Sequence, residues 1–212
     1  MARSRDISKV LSSNSTLATD AEVAATYQTQ AGTGLKKIVP SSVAVGSGTG
    51  SADSLGTVTF SGCSSVSLND VFSTTYENYK LLIRINSASS TPALYCRLRV
   101  SGTDTSTNYF YAASWRGSST TTFTTDNGDP SSVFVLGKLG NNHSLTSADI
   151  SSPFEASYTS FNSLSGAGDN TNEGYVMWSG GSQGSTTSFT SFTLLASAGN
   201  ISGVVSVYGY TK

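Results

Sequence analysis

Charge is scarce in this chain: Asp, Glu, Lys and Arg make up 12% of its 212 residues, about half the ~25% of an ordinary globular protein. The formal net charge is −1, so there is no basic excess of the kind a nucleic-acid-binding face needs. No run of eighteen apolar residues occurs, which excludes a membrane-spanning helix. Met1 to Val10 is basic and polar with no apolar stretch behind it, and does not read as a signal peptide. Two cysteines, Cys63 and Cys96, are too few for a disulfide scaffold. They fall in separate expected strands and read as small buried hydrophobes. The single histidine, His143, sits in Gly140-Asn141-Asn142-His143-Ser144 without a second His or a Cys to complete a zinc site. It also lacks an adjacent nucleophile and orienting carboxylate. No G-x-S-x-G, Walker A or H-E-x-x-H pattern appears. The expectation is a non-enzyme with no metal and no cofactor.

Small polar residues fill the space that charge leaves. Ser and Thr occupy 68 positions and Gly another 21. Such a composition is not disorder, because disordered chains are poor in aromatics and this one carries 10 Tyr, 9 Phe and 2 Trp. Apolar residues, at 37%, suffice for a core.

Three zones follow along the chain. Residues 1–33 carry the helical signals. Thr19-Asp20-Ala21-Glu22 reads as a capping box ahead of the Ala-rich stretch to Gln30, and Ile7, Val10 and Leu11 share one side of a short turn. Residues 34–54 read as a linker: Pro40 favours extended geometry before it, and Val45 to Ser51 is a Gly/Ser spacer with no packed structure expected. From 55 to 212 short apolar or alternating runs recur between turn residues, the signature of a sandwich or barrel. The clearest are Thr57–Phe60, Tyr79–Ile85, Leu94–Val100, Tyr109–Trp115, Val133–Leu139, Glu155–Leu164, Gly174–Trp178, Phe189–Leu195 and Val204–Tyr210. In Leu94–Val100 the alternation is strict, with Arg97 and Arg99 on the solvent side. The fold class expected is mainly β: an antiparallel jelly-roll-like sandwich of eight or nine strands behind a short helical or extended arm.

Candidate chemistry is thin. Glu77, Glu155 and Glu173 are the glutamates of the β region, and no spacing forces two of them into an acid–base pair for glycan hydrolysis. Asp126-Asn127-Gly128-Asp129-Pro130 reads as a turn, with a calcium loop the weaker reading because the EF-hand pattern is missing. Ser179-Gly180-Gly181-Ser182-Gln183-Gly184-Ser185 has a phosphate cradle's glycines but no following helix or Lys, and reads as a hairpin loop. The aromatic clusters offer two readings. Tyr109, Tyr111, Trp115, Arg116, Tyr175 and Trp178 suit a sugar-stacking surface, while the same residues at alternate strand positions suit core or subunit packing.

Arg3 to Leu11 and Thr16-Leu17-Ala18-Thr19-Asp20-Ala21-Glu22-Val23-Ala24-Ala25 resemble the amino-terminal heads of tail-fibre and related virion proteins of tailed bacteriophages, cyanophages and marine phages especially. Val71 to Leu81 is similar to the start of their carboxy-terminal β domains, and Phe189–Leu195 through Val207–Tyr210 to their close. The resemblance implies a virion protein assembled in the host cytoplasm: a short homotrimeric tail fibre. Its arm would dock on a tail adaptor, nozzle or baseplate through Ile7, Val10, Leu11, Leu17 and Val23. Its β head would contact a host cell-surface glycan, with no nucleic-acid partner. The alternative is a capsid-decorating head fibre or spike held to the capsid by the same arm. A heptad shaft, present in long fibres, is missing.

Overall fold

The computed structural model describes residues 34–171 and 173–211. The expected helices and the anchors Ile7, Val10, Leu11, Leu17 and Val23 lie outside the described residues.

The described chain forms sixteen strands. The first five are β1 (Leu35–Ile38), β2 (Ser42–Gly46), β3 (Thr49–Ala52), β4 (Thr57–Cys63) and β5 (Ser65–Asn69). Next come β6 (Asn78–Ala88), β7 (Ala93–Val100), β8 (Thr103–Asp104), β9 (Tyr109–Gly117) and β10 (Thr124–Ser131). The last six are β11 (Phe134–Lys138), β12 (His143–Ser151), β13 (Thr159–Gly168), β14 (Gly174–Gln183), β15 (Ser191–Ala196) and β16 (Ile201–Tyr210).

They pair antiparallel into two sheets, consistent with a β-sandwich. The wide sheet has ten strands in the order β10-β9-β14-β13-β12-β6-β16-β4-β3, with β1 also on β16. The narrow one has six, β11-β7-β15-β5-β2, with β8 on β7. Period-two patterning creates the layers. In β6, Tyr79, Leu81, Ile83 and Ile85 are buried while Leu82 and Arg84 face out; in β7, Leu94, Cys96 and Leu98 are buried. One core takes side chains from both sheets, among them Val58 and Phe60 of β4, Leu68 of β5, Ile83 of β6 and Phe192 and Leu194 of β15. Phe72 stands edge-on to Tyr79 at 4.7 Å and stacks on Phe192 at 5.8 Å. Such aromatic pairs add to what area burial alone supplies. Cys63 and Cys96 are both buried and free.

The narrow sheet cannot cover all of the wide one. Beyond β12 the wing made of β13, β14, β9 and β10 is lined on its inner face by small side chains, Ala113, Ser163, Ser165 and Ser179, all buried. They let β11, buried from Phe134 to Gly137, lie close over the wing, where Val135 packs with Ala113 and Met177.

Several expectations are corrected. Residues 34–54 are not a bare linker: β2 pairs with β5, Val43 opposite Leu68 and Val45 opposite Val66, and β3 pairs with β4. Neighbouring backbone decides here, because a strand needs partners more than it needs β-favouring residues. The Gly/Ser spacer supplies the corner where the chain passes from one sheet to the other: Ser47 and Gly48 have φ of 68° and 66°, a left-handed pair that Gly tolerates best. Asp126 to Pro130 belongs to β10 rather than to a turn, an edge strand on β9 whose register shifts between Gly128 and Ser131. Pro130 fits because an irregular edge spares it a ladder donor. Ser179 to Gln183 is the end of β14, fully paired on both sides, not a hairpin loop. His143 opens β12 instead of lying in a loop.

Two outcomes follow for stability. Phe192→Ala should cost about 3–5 kcal/mol through the cavity it leaves, while the exposed Leu145→Ala should stay within about 0.5 kcal/mol; equal shifts in urea midpoint would contradict the assigned core. Burial pushes the Cys96 thiol, ordinarily near 9.0, and the Tyr109 phenol, ordinarily near 10.0, both upwards. Unfolding lets them ionise at their ordinary values, so their contribution is complete below pH 9.0 and declines as pH rises beyond it. Urea midpoints measured from pH 7 to 11 should therefore be level at first and then fall.

Candidate binding face

Strand parity divides the aromatic cluster between the two faces of the wide sheet. In β9, Tyr109, Tyr111, Ala113 and Trp115 point inward, toward β11 and the narrow sheet, while Phe110, Ala112, Ser114 and Arg116 point outward. Tyr109 is fully buried. Its hydroxyl accepts from the Leu98 amide at 2.8 Å and donates to the Thr105 carbonyl at 3.0 Å, and its ring stands edge-on to Phe134 at 4.7 Å. It is a core residue with no face for a sugar, which corrects its place among the candidate glycan contacts.

Tyr111, Trp115 and Tyr175 are half-buried on the same inner side. Trp115 and Tyr175 lie edge to face at 6.4 Å, and the Lys138 ammonium sits 4.9 Å from the Trp115 ring centre and 6.0 Å from that of Tyr175. Lys138 thus already supplies these rings with the cation they attract. The Tyr175 hydroxyl shares its one proton between Glu173 at 2.9 Å and Asp169 at 3.2 Å. Desolvation and then these two carboxylates push its pKa up to about 12. The bonds that Ser119 and Tyr175 donate hold Glu173 below its ordinary value, and those from Thr171 and the Glu173 amide do the same for Asp169. Tyr111 is likewise raised to about 12, by desolvation and by Asp126, to which its hydroxyl donates at 3.2 Å. A phenol held protonated beside ionised carboxylates is a structural latch on the wing, the reverse of an activated nucleophile. Among the described residues no three His, Cys, Asp or Glu side chains come close enough to share a metal ion.

Arg116 and Trp178 reach the outer face. Trp178 is 47% exposed; its ring packs 5.7 Å from Phe123, and the Arg116 guanidinium lies 5.5 Å over that same Phe123 ring. Leu164, opposite Trp178 in β13, is also exposed, and the two form a low apolar ridge. Beside the ridge a cross-strand row runs Lys80, Asp149, Asn162, Gly180, Ala112, Asn127, each residue opposite the next. The row beyond it runs Asn78, Ser151, Ser160, Ser182, Phe110.

Three open hollows of about 380, 650 and 440 Å³ lie along these rows. The first and second meet at Asn162, the second and third at Gly180, Ala112 and Asn127. Asp149, at the first hollow, is bound to Lys80 at 3.1 Å and accepts from the Tyr210 hydroxyl. Desolvation works against charge on Lys80, but the bonds to Asp149 outweigh it and hold the ammonium above its ordinary value.

Asn127 and Asn162 escape sequence reading as contacts because nothing marks a lone Asn, and Phe110 is visible in sequence only within its aromatic run, where its outward parity is hidden among inward neighbours. No protein-family model matches the chain, and no curated protein matches it.

Alkaline titration of tyrosine absorbance tests the latch. Glu173→Gln should bring one late-titrating phenol back toward the ordinary 10.0, and Tyr175→Phe should remove a late-titrating one; loss of an ordinary phenol in Tyr175→Phe, with no change in Glu173→Gln, would place the Tyr175 hydroxyl elsewhere.

Proposed function

We propose that the chain is a structural virion protein, a short homotrimeric tail fibre of a tailed bacteriophage that docks through residues 1–33 and contacts a host-surface glycan through its β head. It is not an enzyme and needs no cofactor. The observation that supports this reading best is the outer face of the wide sheet. It is a broad surface of hydroxyl, amide and exposed aromatic side chains; of the carboxylates along it, Asp149 is tied to Lys80, Asp126 accepts from the Tyr111 hydroxyl, and Asp129 stands at the far end. Such a surface suits recognition of a polyhydroxy ligand, where aromatic rings meet apolar sugar faces and short polar groups meet hydroxyls. The strand order β4-β16-β6-β12 opposite β5-β15-β7-β11 supports a jelly-roll ancestry for the head, two interleaved Greek keys to which β9, β10, β13 and β14 add the wing.

Gold labelling of intact particles with an antibody to residues 55–212 tests the assignment. Label at the tail is expected; label spread over the head would replace the tail fibre by a capsid-decorating head fibre, and particles without label would remove the virion role. Deleting residues 1–30 should abolish incorporation and leave the β head soluble, and virions that still carry the truncated chain would contradict docking through Ile7, Val10, Leu11, Leu17 and Val23.

A further inference from the structure

We propose that the outer face of the ten-stranded sheet holds a linear, uncharged polysaccharide, laid across the strands in the furrow that runs from Asn78 and Tyr210 past Gly180 to Asn127. This deepens the reading of the head as a glycan-contacting domain by naming the site and the class of sugar.

The furrow is continuous, because its three hollows share Asn162 and then Gly180, Ala112 and Asn127. From β6 to β10 it crosses five strand-to-strand steps, about 24 Å at the usual strand spacing and room for about four sugar rings. Its floor is open because position 180 has no side chain. Glycine weakens a strand interior and often marks close approach of a ligand or another backbone. Here the protein's own backbone does not demand it: a Cβ at 180 would meet only the Phe161 carbonyl at 3.4 Å and the Asn162 Cβ at 4.0 Å, ordinary contacts. The missing side chain serves the space above the sheet.

The lining selects the occupant. Trp178 on the ridge and Phe110 at the far row, 47% and 37% exposed, offer apolar surfaces on either side of the floor. Asn78, Asn162 and Asn127 offer amides that both donate and accept, spaced along the furrow. Asp149 is neutralised by Lys80, and Arg84 and Arg116 stand in the row beyond the Trp178–Leu164 ridge, away from the floor. The cation of that row, Lys80, is already engaged by Asp149, so an acidic polymer would find no unpaired cation among the described residues of the floor. A peptide strand would add to a sheet edge, where backbone groups are free, but the furrow lies on the face of five strands paired on both sides, β6, β12, β13, β14 and β9, and meets the edge strand β10 only at its end. A second copy would present an equally concave furrow, and two hollows cannot fill each other.

The test is native electrophoresis of the full chain through gels containing dextran, laminarin, mannan or the acidic polymer alginate. At least one of the three uncharged polymers should retard the protein, and 1 M salt should leave the retardation unchanged. Gly180→Tyr should weaken it by at least about tenfold, since the ring fills the floor. Asn162→Ala, a truncation at an exposed position, should weaken it too. Gly166→Tyr should bind like the parent: Gly166 lies on the same face, in the row beyond the ridge, with nothing within 4 Å of its Cβ position. Retardation by none of the uncharged polymers, retardation by alginate alone, or equal loss in Gly166→Tyr would each overturn the proposal. A change of sedimentation in Gly180→Tyr would also overturn it, by making the face a subunit contact. None of these results bears on where gold binds the particle, so the site can fail while the virion assignment stands.

Discussion

The last strand of the chain runs down the middle of the wide sheet. β16 pairs with β6 along one side and with β4 and β1 along the other. Its inward residues Ile201, Val205 and Val207 complete the core opposite Leu194 and Phe192 of β15. Val205 sits opposite Ile83 and Val207 opposite Leu81, partners more than a hundred residues away in sequence. Neither half of the wide sheet can bury its face until β16 is seated. Stability is therefore cooperative across the head, and folding is governed by long-range pairing of the kind that makes β-sandwiches slow. The same register fixes everything outward of it, since a slip of one residue would exchange the two faces of the sheet.

That constraint determines which side chains the outer face presents. Because β6 is held in register by β16, and β12 by β6, the outward rows of the wing are set strand by strand out to β10. Asn162, Gly180 and Ala112 fall into one row only because Asp149 is opposite Lys80 and Asn162 opposite Asp149. The inner side of the wing is closed by β11, and its aromatic residues are committed there: Tyr109 to Phe134, Trp115 and Tyr175 to Lys138. The outer side carries fewer aromatics but leaves them free.

Sequence patterning was legible where large apolar residues alternate over six or more positions or stand beside aromatics. Each of the nine expected runs overlaps a strand, from Thr57 in β4 to Tyr210 in β16, although the run from Glu155 enters β13 only at Thr159. Of the strands that escape notice, β5 is short and buries Val66 and Leu68 beside serines, while most others carry small or polar side chains. β12 turns Ser144, Thr146, Ala148 and Ile150 inward, so only one of its four inner residues is a large hydrophobe. β2 and β3 carry Gly and Ser that signal a linker, and their pairing with β5 and β4 is visible only in three dimensions. The aromatic cluster was found in sequence, yet its division between faces was not. Tyr109-Phe110-Tyr111 contains both outcomes in consecutive residues, and composition cannot tell them apart.

The shortage of charge has a structural counterpart at the edges. Exposed edge strands invite pairing with other chains unless something blocks them, and a surface rich in Ser and Thr offers little repulsion. β10, the outermost strand of the wing, carries two like charges, Asp126 and Asp129, with Pro130 and a register shift at its end. A strand so interrupted is a poor template for a further strand. The β3 edge at the other side is only four residues long, and short edges are protected by their length. With β10 charged and irregular and β3 short, the broad outer face is the larger surface left to the wide sheet for a partner. A face, unlike an edge, presents side chains alone, so the proposed recognition would rest on a few outward positions such as Trp178, Asn162 and the open floor at Gly180.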